Sequence, residues 1–117
     1  GPKPYEEALK YMRCFDVAIM PHLRNQVSDH MNPLKLYVYV ALGIPVVSTD
    51  VANIDELRDR IVVASDAEDF IAKLDLAVAR RGFTGPHRPP PAEELWPISW
   101  PQRVATIVGL CRKALLS

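Results

Sequence analysis

Asn32-Pro33-Leu34-Lys35-Leu36-Tyr37-Val38-Tyr39-Val40-Ala41-Leu42-Gly43-Ile44-Pro45-Val46-Val47-Ser48-Thr49 reads as a helix handed directly to a strand. Asn32-Pro33 is a helix start, with Asn as N-cap and Pro at the first helical position, and Gly43 supplies a left-handed stop. Tyr37-Val38-Tyr39-Val40 has strand propensity, but the two bracketing signals agree and propensity is the weaker guide. Ile44 to Thr49 then forms a buried strand, with Pro45 tolerated at its beginning. A helix feeding an apolar strand is a unit of a parallel sheet built with crossovers.

Upstream, Tyr5, Ala8, Leu9 and Met12 recur at helical spacing after Pro4. Asp16 to Pro21 is a short apolar run suited to a strand buried on both faces, and a polar stretch from His22 to Asn32 follows it. Downstream, Asn53-Ile54-Asp55-Glu56 reads as the capping box of a short helix to about Arg60, and Ile61 to Ala64 as a third strand. Ser65-Asp66-Ala67-Glu68 is a further capping box, and Ala67, Phe70, Ile71, Leu74 and Val78 line one face of the helix it opens. Gly82 ends that helix after Arg80 and Arg81, whose charges suit its C-terminus.

Pro86, Pro89, Pro90, Pro91 and Pro97 make residues 83–98 an extended surface connector. Residues 99–117 form a last helix, capped by Ser99 and docked on the same domain through Trp100, Val104, Ile107, Val108, Cys111 and Leu115. Gly1-Pro2 reads as a tag remnant, which leaves residues 3–82 as the domain proper. The expected fold class is α/β: a three-layer, Rossmann-like half-domain with a short parallel sheet and a C-terminal helix. Three strands are few for a doubly wound sheet, so further strands are expected before Pro4.

Composition narrows the function. The 117 residues are 49% hydrophobic, enough for one core, and fourteen Lys+Arg balance fourteen Asp+Glu. A neutral chain lacks the electrostatic footprint of a nucleic-acid binder or a polybasic membrane patch. No run reaches the roughly 20 apolar residues of a membrane helix. Cys14 and Cys111 lie far apart, without a CxxC pair or clustered His, and read as free, buried thiols of a reducing, cytoplasmic compartment. No metal or cofactor is expected.

The stretch from Asn32 to Thr49 closely resembles the "NPxKxxEYxAxGxPVVST" segment of retaining glycosyltransferases with the two-Rossmann-domain (GT-B) fold, the group 1, family 4-like enzymes. Tyr5-x-x-Ala-Leu-x-x-Tyr11 followed by Asp16-Val17 looks like that family's "Y..L..Y...DV", and Ser99-Trp100-x-x-Arg103 like its "SWxxR". The resemblance implies the last half of a C-terminal, donor-binding domain. Its substrate would be a nucleoside-diphosphate sugar, and its acceptor a glycan or lipid-linked molecule of the bacterial cell surface. It also implies a missing N-terminal acceptor domain as partner, and that an isolated fragment is inactive. Whether the full-length protein sits at the inner face of the membrane stays open.

Ligands of open parallel sheets bind beyond the carboxyl ends of the strands. The loop from His22 to Asn32 would form one wall of such a site, and the helix start at Pro33, Leu34 and Lys35 favours an anion. A diphosphate belongs there, with Lys35 adding a point charge; otherwise Lys35 is an exposed residue on a buried helix. His22 faces the cleft or merely ends the strand, and Ser48 and Thr49 line the pocket or merely turn toward Asp50. Two family glutamates, one for the sugar and one for the ribose, fall on His30, beside Asp29, and on Val38. Valine accepts no hydrogen bond. Asn53 and Glu56 read as a cap rather than a binding pair, Tyr37 and Tyr39 as core and interface aromatics, and His87 as an exposed connector residue.

Val38 and the short sheet support an alternative, a noncatalytic, degenerate glycosyltransferase-like module for interaction or dimerisation. Nucleotide-sugar epimerases share the two-domain fold but fit the central wording less well. With no strand beside the one at Asp16, an apolar edge is exposed, and unpaired edges recruit partners. The chain is therefore expected to self-associate through this edge; a strictly monomeric particle by light scattering counts against it.

Overall fold

The computed structural model describes residues 2, 4–82 and 87–116. Gly1 of the expected tag remnant and the first residues of the connector, 83–86, lie outside them. In chain order come α1 (Tyr5–Met12), β1 (Ala18–Met20), α2 (Gln26–Asp29), α3 (Leu34–Leu42), β2 (Val46–Thr49) and a 3-10 turn (Asp55–Arg60). They are followed by β3 (Val62–Ala64), α4 (Ala67–Arg81), α5 (Ala92–Leu95), a second 3-10 turn (Trp96–Ile98) and α6 (Trp100–Leu116). The three strands are parallel in the order β1-β2-β3, with Met20 beside Ser48 and Thr49 beside Ala64. This is the α/β half-domain, with its short parallel sheet and C-terminal helix, that the sequence leads one to expect.

Register assigns the faces. Ala18, Met20 and Val46 point to one side, where they cluster with Leu36 and Val40 of α3, Ile44, Val51, Ile54, Leu57 and Ile61. Ile19, Val47 and Val62 point to the other side, where α4 packs on β2 and β3. Val47 is fully buried there, but Ile19 of β1 is 48% exposed. The strand at Asp16 is therefore buried on one face only, because α4 lies over its neighbours.

α3 is a helix in spite of its β-branched and aromatic run. Leu36 and Val40, four residues apart, are its buried pair. At its end Gly43 takes φ 74°, and the Gly43 and Ile44 amides return to the Val40 and Tyr39 carbonyls. These are the paired bonds of a Schellman stop. A side chain at Gly43 would also collide with the Arg88 carbonyl of the connector.

The caps shift from their expected places. α3 begins one residue later than Asn32-Pro33 implies, with Pro33 in the cap position and no side-chain cap bond. The residue capping α4 is Asp66 rather than Ser65: its carboxylate accepts from the Asp69 amide, while Asp69 accepts from the Ser65 amide. A carboxylate displaces the weaker hydroxyl acceptor. The α4 face turned inward is Phe70, Lys73, Leu74 and Ala77, whereas Ile71 and Val78 are exposed. Lys73 is accommodated there because its ammonium group reaches the Val63 carbonyl and Asp69, both within 2.9 Å.

Past the sheet, three further expectations change. The connector is not extended throughout: Pro91 leads into α5, and Pro97 sits at the start of the second 3-10 turn, where a missing N–H costs nothing. His87 is half-buried, and its Nε2 lies 2.6 Å from the Phe15 carbonyl oxygen. Cys14 and Cys111 are exposed rather than buried. No helix among the described residues is long and apolar enough to cross a membrane.

The last helix is held by its first turn. Arg103 donates to Glu56 and to the Tyr37 hydroxyl, its guanidinium lies 5.3 Å from the centre of the Tyr37 ring, and Tyr37 donates to Glu56 at 2.6 Å. Beyond this tether Val104, Ile107, Val108 and Leu115 are exposed, so the apolar face expected to dock lies open along the rest of α6.

Two outcomes follow. Gly43→Ala should destabilise the fold by about 1–2 kcal/mol from the left-handed backbone alone, and by more once the Arg88 carbonyl is displaced; urea unfolding measures it. The hydrogen bond from Tyr37 and then the Arg103 pair hold the Glu56 carboxyl below the usual carboxylate range. A carboxyl depressed in the folded state stabilises it above the unfolded pKa, and that contribution is lost as pH falls through the folded value. The Arg103 side-chain NMR signals should therefore move on acidification below the ordinary carboxylate value, and the Glu56→Gln variant should abolish that transition.

Candidate functional site

β1 ends at Met20, and the chain then passes through Pro21 and His22 over the carboxyl edge of the sheet. Thr49, at the same edge of β2, turns its hydroxyl toward β1 and donates to the His22 carbonyl at 2.6 Å, with the Met20 carbonyl at 3.3 Å. The two strand ends are thereby fastened by a side chain. Ser48 points the other way: it is wholly buried and donates to the Thr49 carbonyl at 2.8 Å. Register sets Ser48 beside Met20 on the α3 side of the sheet, and with no exposed surface its hydroxyl lines no pocket.

The stretch from His22 to Asn32 is not a plain polar loop, since it carries α2. Asn25 and Ser28 form its capping box, with the Ser28 amide bonded to Asn25 Oδ1 and the Asn25 amide to Ser28 Oγ. The Asn-x-x-Ser spacing is legible in the sequence, but four helical residues are too few to show a period. After α2 the backbone is held from across the cleft. Asn53, at φ 65°, donates its side-chain amide to the Met31 carbonyl at 2.7 Å and the Asp29 carbonyl at 3.2 Å. Asn tolerates this left-handed conformation better than most residues. Asn53 thus caps no helix, and the turn after it has no side-chain cap at all.

Between the end of β1 and the start of α3 lies a cleft of about 410 Å³, walled by His22, Met31, Asn32, Leu34, Lys35, Tyr39 and Val51 among others. The Leu34 and Leu36 amides bond back to the Asn32 and Pro33 carbonyls, and Pro33 has no N–H. The anion-binding capacity expected of this helix start is therefore carried by the Lys35 amide and ammonium group.

A second, polar cleft of about 380 Å³ adjoins it and is lined by His30, Asn32, Asn53, Asp55, Glu56 and Arg103. A third and larger groove runs between α3 and α6, and Val38 lines it with Tyr37, Trp100 and Arg103. Asn32 borders all three.

The candidates thus divide. His22, Asn32, Leu34 and Lys35 come together in the first cleft, and His30 meets Asn32 in the second. Asp29 faces Arg24 at 3.7 Å, and its backbone carbonyl is used by Asn53. Val38 turns to the third groove, Thr49 is a structural fastener, and Ser48 is interior. Glu56 and Arg103, which meet across 47 positions, join the second cleft; no periodic signal announces a contact at that separation. Tyr37 lies among them, its phenol raised above its ordinary value mainly by burial and then by the Glu56 carboxylate.

The family described as "Glycosyl transferases group 1" matches residues 2–79. Over 86 residues the chain is 31% identical to a Bacillus subtilis (strain 168) protein named as a teichuronic acid biosynthesis glycosyltransferase, TuaH. That match covers 70% of this chain and 22% of the relative, so the chain spans about a fifth of the relative's length. No solved structure matches it. With two thirds of its residues under the family pattern, this chain belongs to the group 1 glycosyl transferases.

Proposed function

We propose that the chain is the donor-binding part of a retaining glycosyltransferase of the GT-B type, from the C-terminal half of the whole enzyme. It holds the nucleoside-diphosphate sugar while a separate acceptor-binding domain presents a glycan or lipid-linked acceptor. The observation that carries this reading is the cleft at the carboxyl edge of the parallel sheet. The α3 start, with the Lys35 amide and ammonium group, forms one wall, and His22 forms another. A diphosphate placed there meets a helix dipole and a cation together.

Transfer in such a site rests on positioning and electrostatic stabilisation rather than on a nucleophile of this chain. Both need the acceptor held against the donor, so this chain alone is inactive in transfer. The relative is named for teichuronic acid biosynthesis, which supports a role of the whole enzyme in bacterial polysaccharide assembly.

The alternative, a noncatalytic interaction module, draws on Val38, which offers no hydrogen-bond acceptor and turns away from the first cleft. An amide-resolved NMR titration with UDP, GDP and their sugar conjugates separates the two. Saturable shifts at Leu34, Lys35 and Thr49 are expected, and Lys35→Ala should weaken binding about five- to tenfold, on the order of one charge-assisted hydrogen bond. No shift with any nucleotide, alongside concentration-dependent self-association, overturns the donor-site reading in favour of the module.

A further inference from the structure

The zero net charge of the chain conceals an uneven distribution. All fourteen Asp and Glu residues lie at or before Glu94, so α6 carries Arg103, Arg112 and Lys113 and no acid. Arg103 is spent on Glu56 and Tyr37, whereas Arg112 and Lys113, in the last two turns, are exposed.

No residue of α6 is buried. At helical spacing Trp100, Val104, Ile107, Val108, Cys111 and Leu115 fall in a stripe roughly 100° wide. Each of them is exposed, Trp100 by 74% and Leu115 by 85%, so the stripe is not packed against the chain's own domain. Arg112 borders the stripe and Lys113 lies on the polar side. The helix stands beyond residue 79, where the family match ends.

Charge decides what covers such a face. A second copy would set two acid-free, cationic helices against each other, with no carboxylate to meet Arg112 and Lys113. An anionic bilayer meets both features at once. Its acyl region receives the apolar stripe and its headgroups receive the cations, while Trp100 sits at the boundary with its ring buried and its N–H solvated.

We infer that α6 is an interfacial helix that lies in the surface of an anionic lipid bilayer, with the stripe from Trp100 to Leu115 turned to the acyl chains and Arg112 and Lys113 on the headgroup phosphates. Binding is peripheral and reversible, since α6 is not long and apolar enough to cross a membrane and each cation adds only about fivefold to the affinity. The Arg103 tether holds the first turn of α6 to Tyr37 of α3 and to Glu56, so docking also orients the sheet relative to the bilayer. The inference goes beyond the donor-site reading and does not depend on it.

Vesicle co-sedimentation tests it, with phosphatidylcholine alone and with an equal mixture of phosphatidylcholine and phosphatidylglycerol. The chain should bind the mixed vesicles about twentyfold tighter than the neutral ones, the product of two cations. Arg112→Gln with Lys113→Gln should remove that preference, and Val104→Asp with Leu115→Asp should abolish binding to both. All four positions are exposed, and circular dichroism checks that the fold is kept. In Trp96→Phe, Trp100 is the single indole left, and its emission should move to shorter wavelength on the mixed vesicles.

Failure to bind the mixed vesicles, equal affinity for both kinds, or undiminished binding by Val104→Asp with Leu115→Asp overturns the inference. Concentration-dependent self-association that Leu115→Asp abolishes gives the stripe to a second copy and overturns it as well. None of these results bears on nucleotide shifts at Lys35, so the donor-site reading stands or falls separately.

Discussion

The burial of Leu36 and Val40 against the sheet is the interaction on which the rest depends. Leu36 has no exposed surface and sits in one cluster with Met20, Val46, Ile54 and Leu57. Close packing leaves that face little freedom to slide, since even one displaced methylene is felt in a packed interior. Seating α3 by this pair determines where its first turn lies, and the first turn is a wall of the cleft. Gly43 then reverses the chain within two residues, so that β2 starts beside β1 in the register that brings Thr49 to the strand end.

Around that seat the polar groups act as fasteners between segments distant in sequence. Thr49 ties the two strand ends, Asn53 ties the turn after β2 to the loop before α3, and Arg103 ties α6 to Tyr37 and Glu56. Each joins elements that the apolar core alone would leave free to shift. The exposed ion pairs contribute little stability individually, roughly 1 kcal/mol or less. Their effect is geometric: they hold the rims of adjoining clefts at defined separations. The half-bare sheet face at Ile19 and the open length of α6 lie outside this network.

Much of this was legible in the residue order. Apolar periodicity and the Gly43 stop located α3 and β2, and the alternation of strands with helices led to a parallel sheet. The Asn32 to Thr49 stretch, with Lys35 at a helix start, pointed to the first cleft and to the glycosyltransferase family. Less legible were the caps, because Asn53, Ser65 and Asn32 each have the composition of a cap and lost the position to a neighbour or to a longer-range contact. Val38 stands where the resemblance puts a family glutamate, and α3 turns it to another groove.

The sequence by itself determined the three strands and the longer helices, though not the four-residue α2 and α5, since those depend on local period, on Gly43 and on the placement of prolines. It also determined that Lys35 stands at a helix start. Only the tertiary structure decided that Glu56, Arg103 and Tyr37 share one hydrogen-bonded cluster, that Asn53 is a strut, and that Ser48 and Thr49 part ways at the end of β2. The physical reason is range: secondary structure is set by neighbours three or four residues away, whereas Tyr37, Thr49, Asn53 and Arg103 find partners 19 to 66 positions distant, after the core has brought the backbones together.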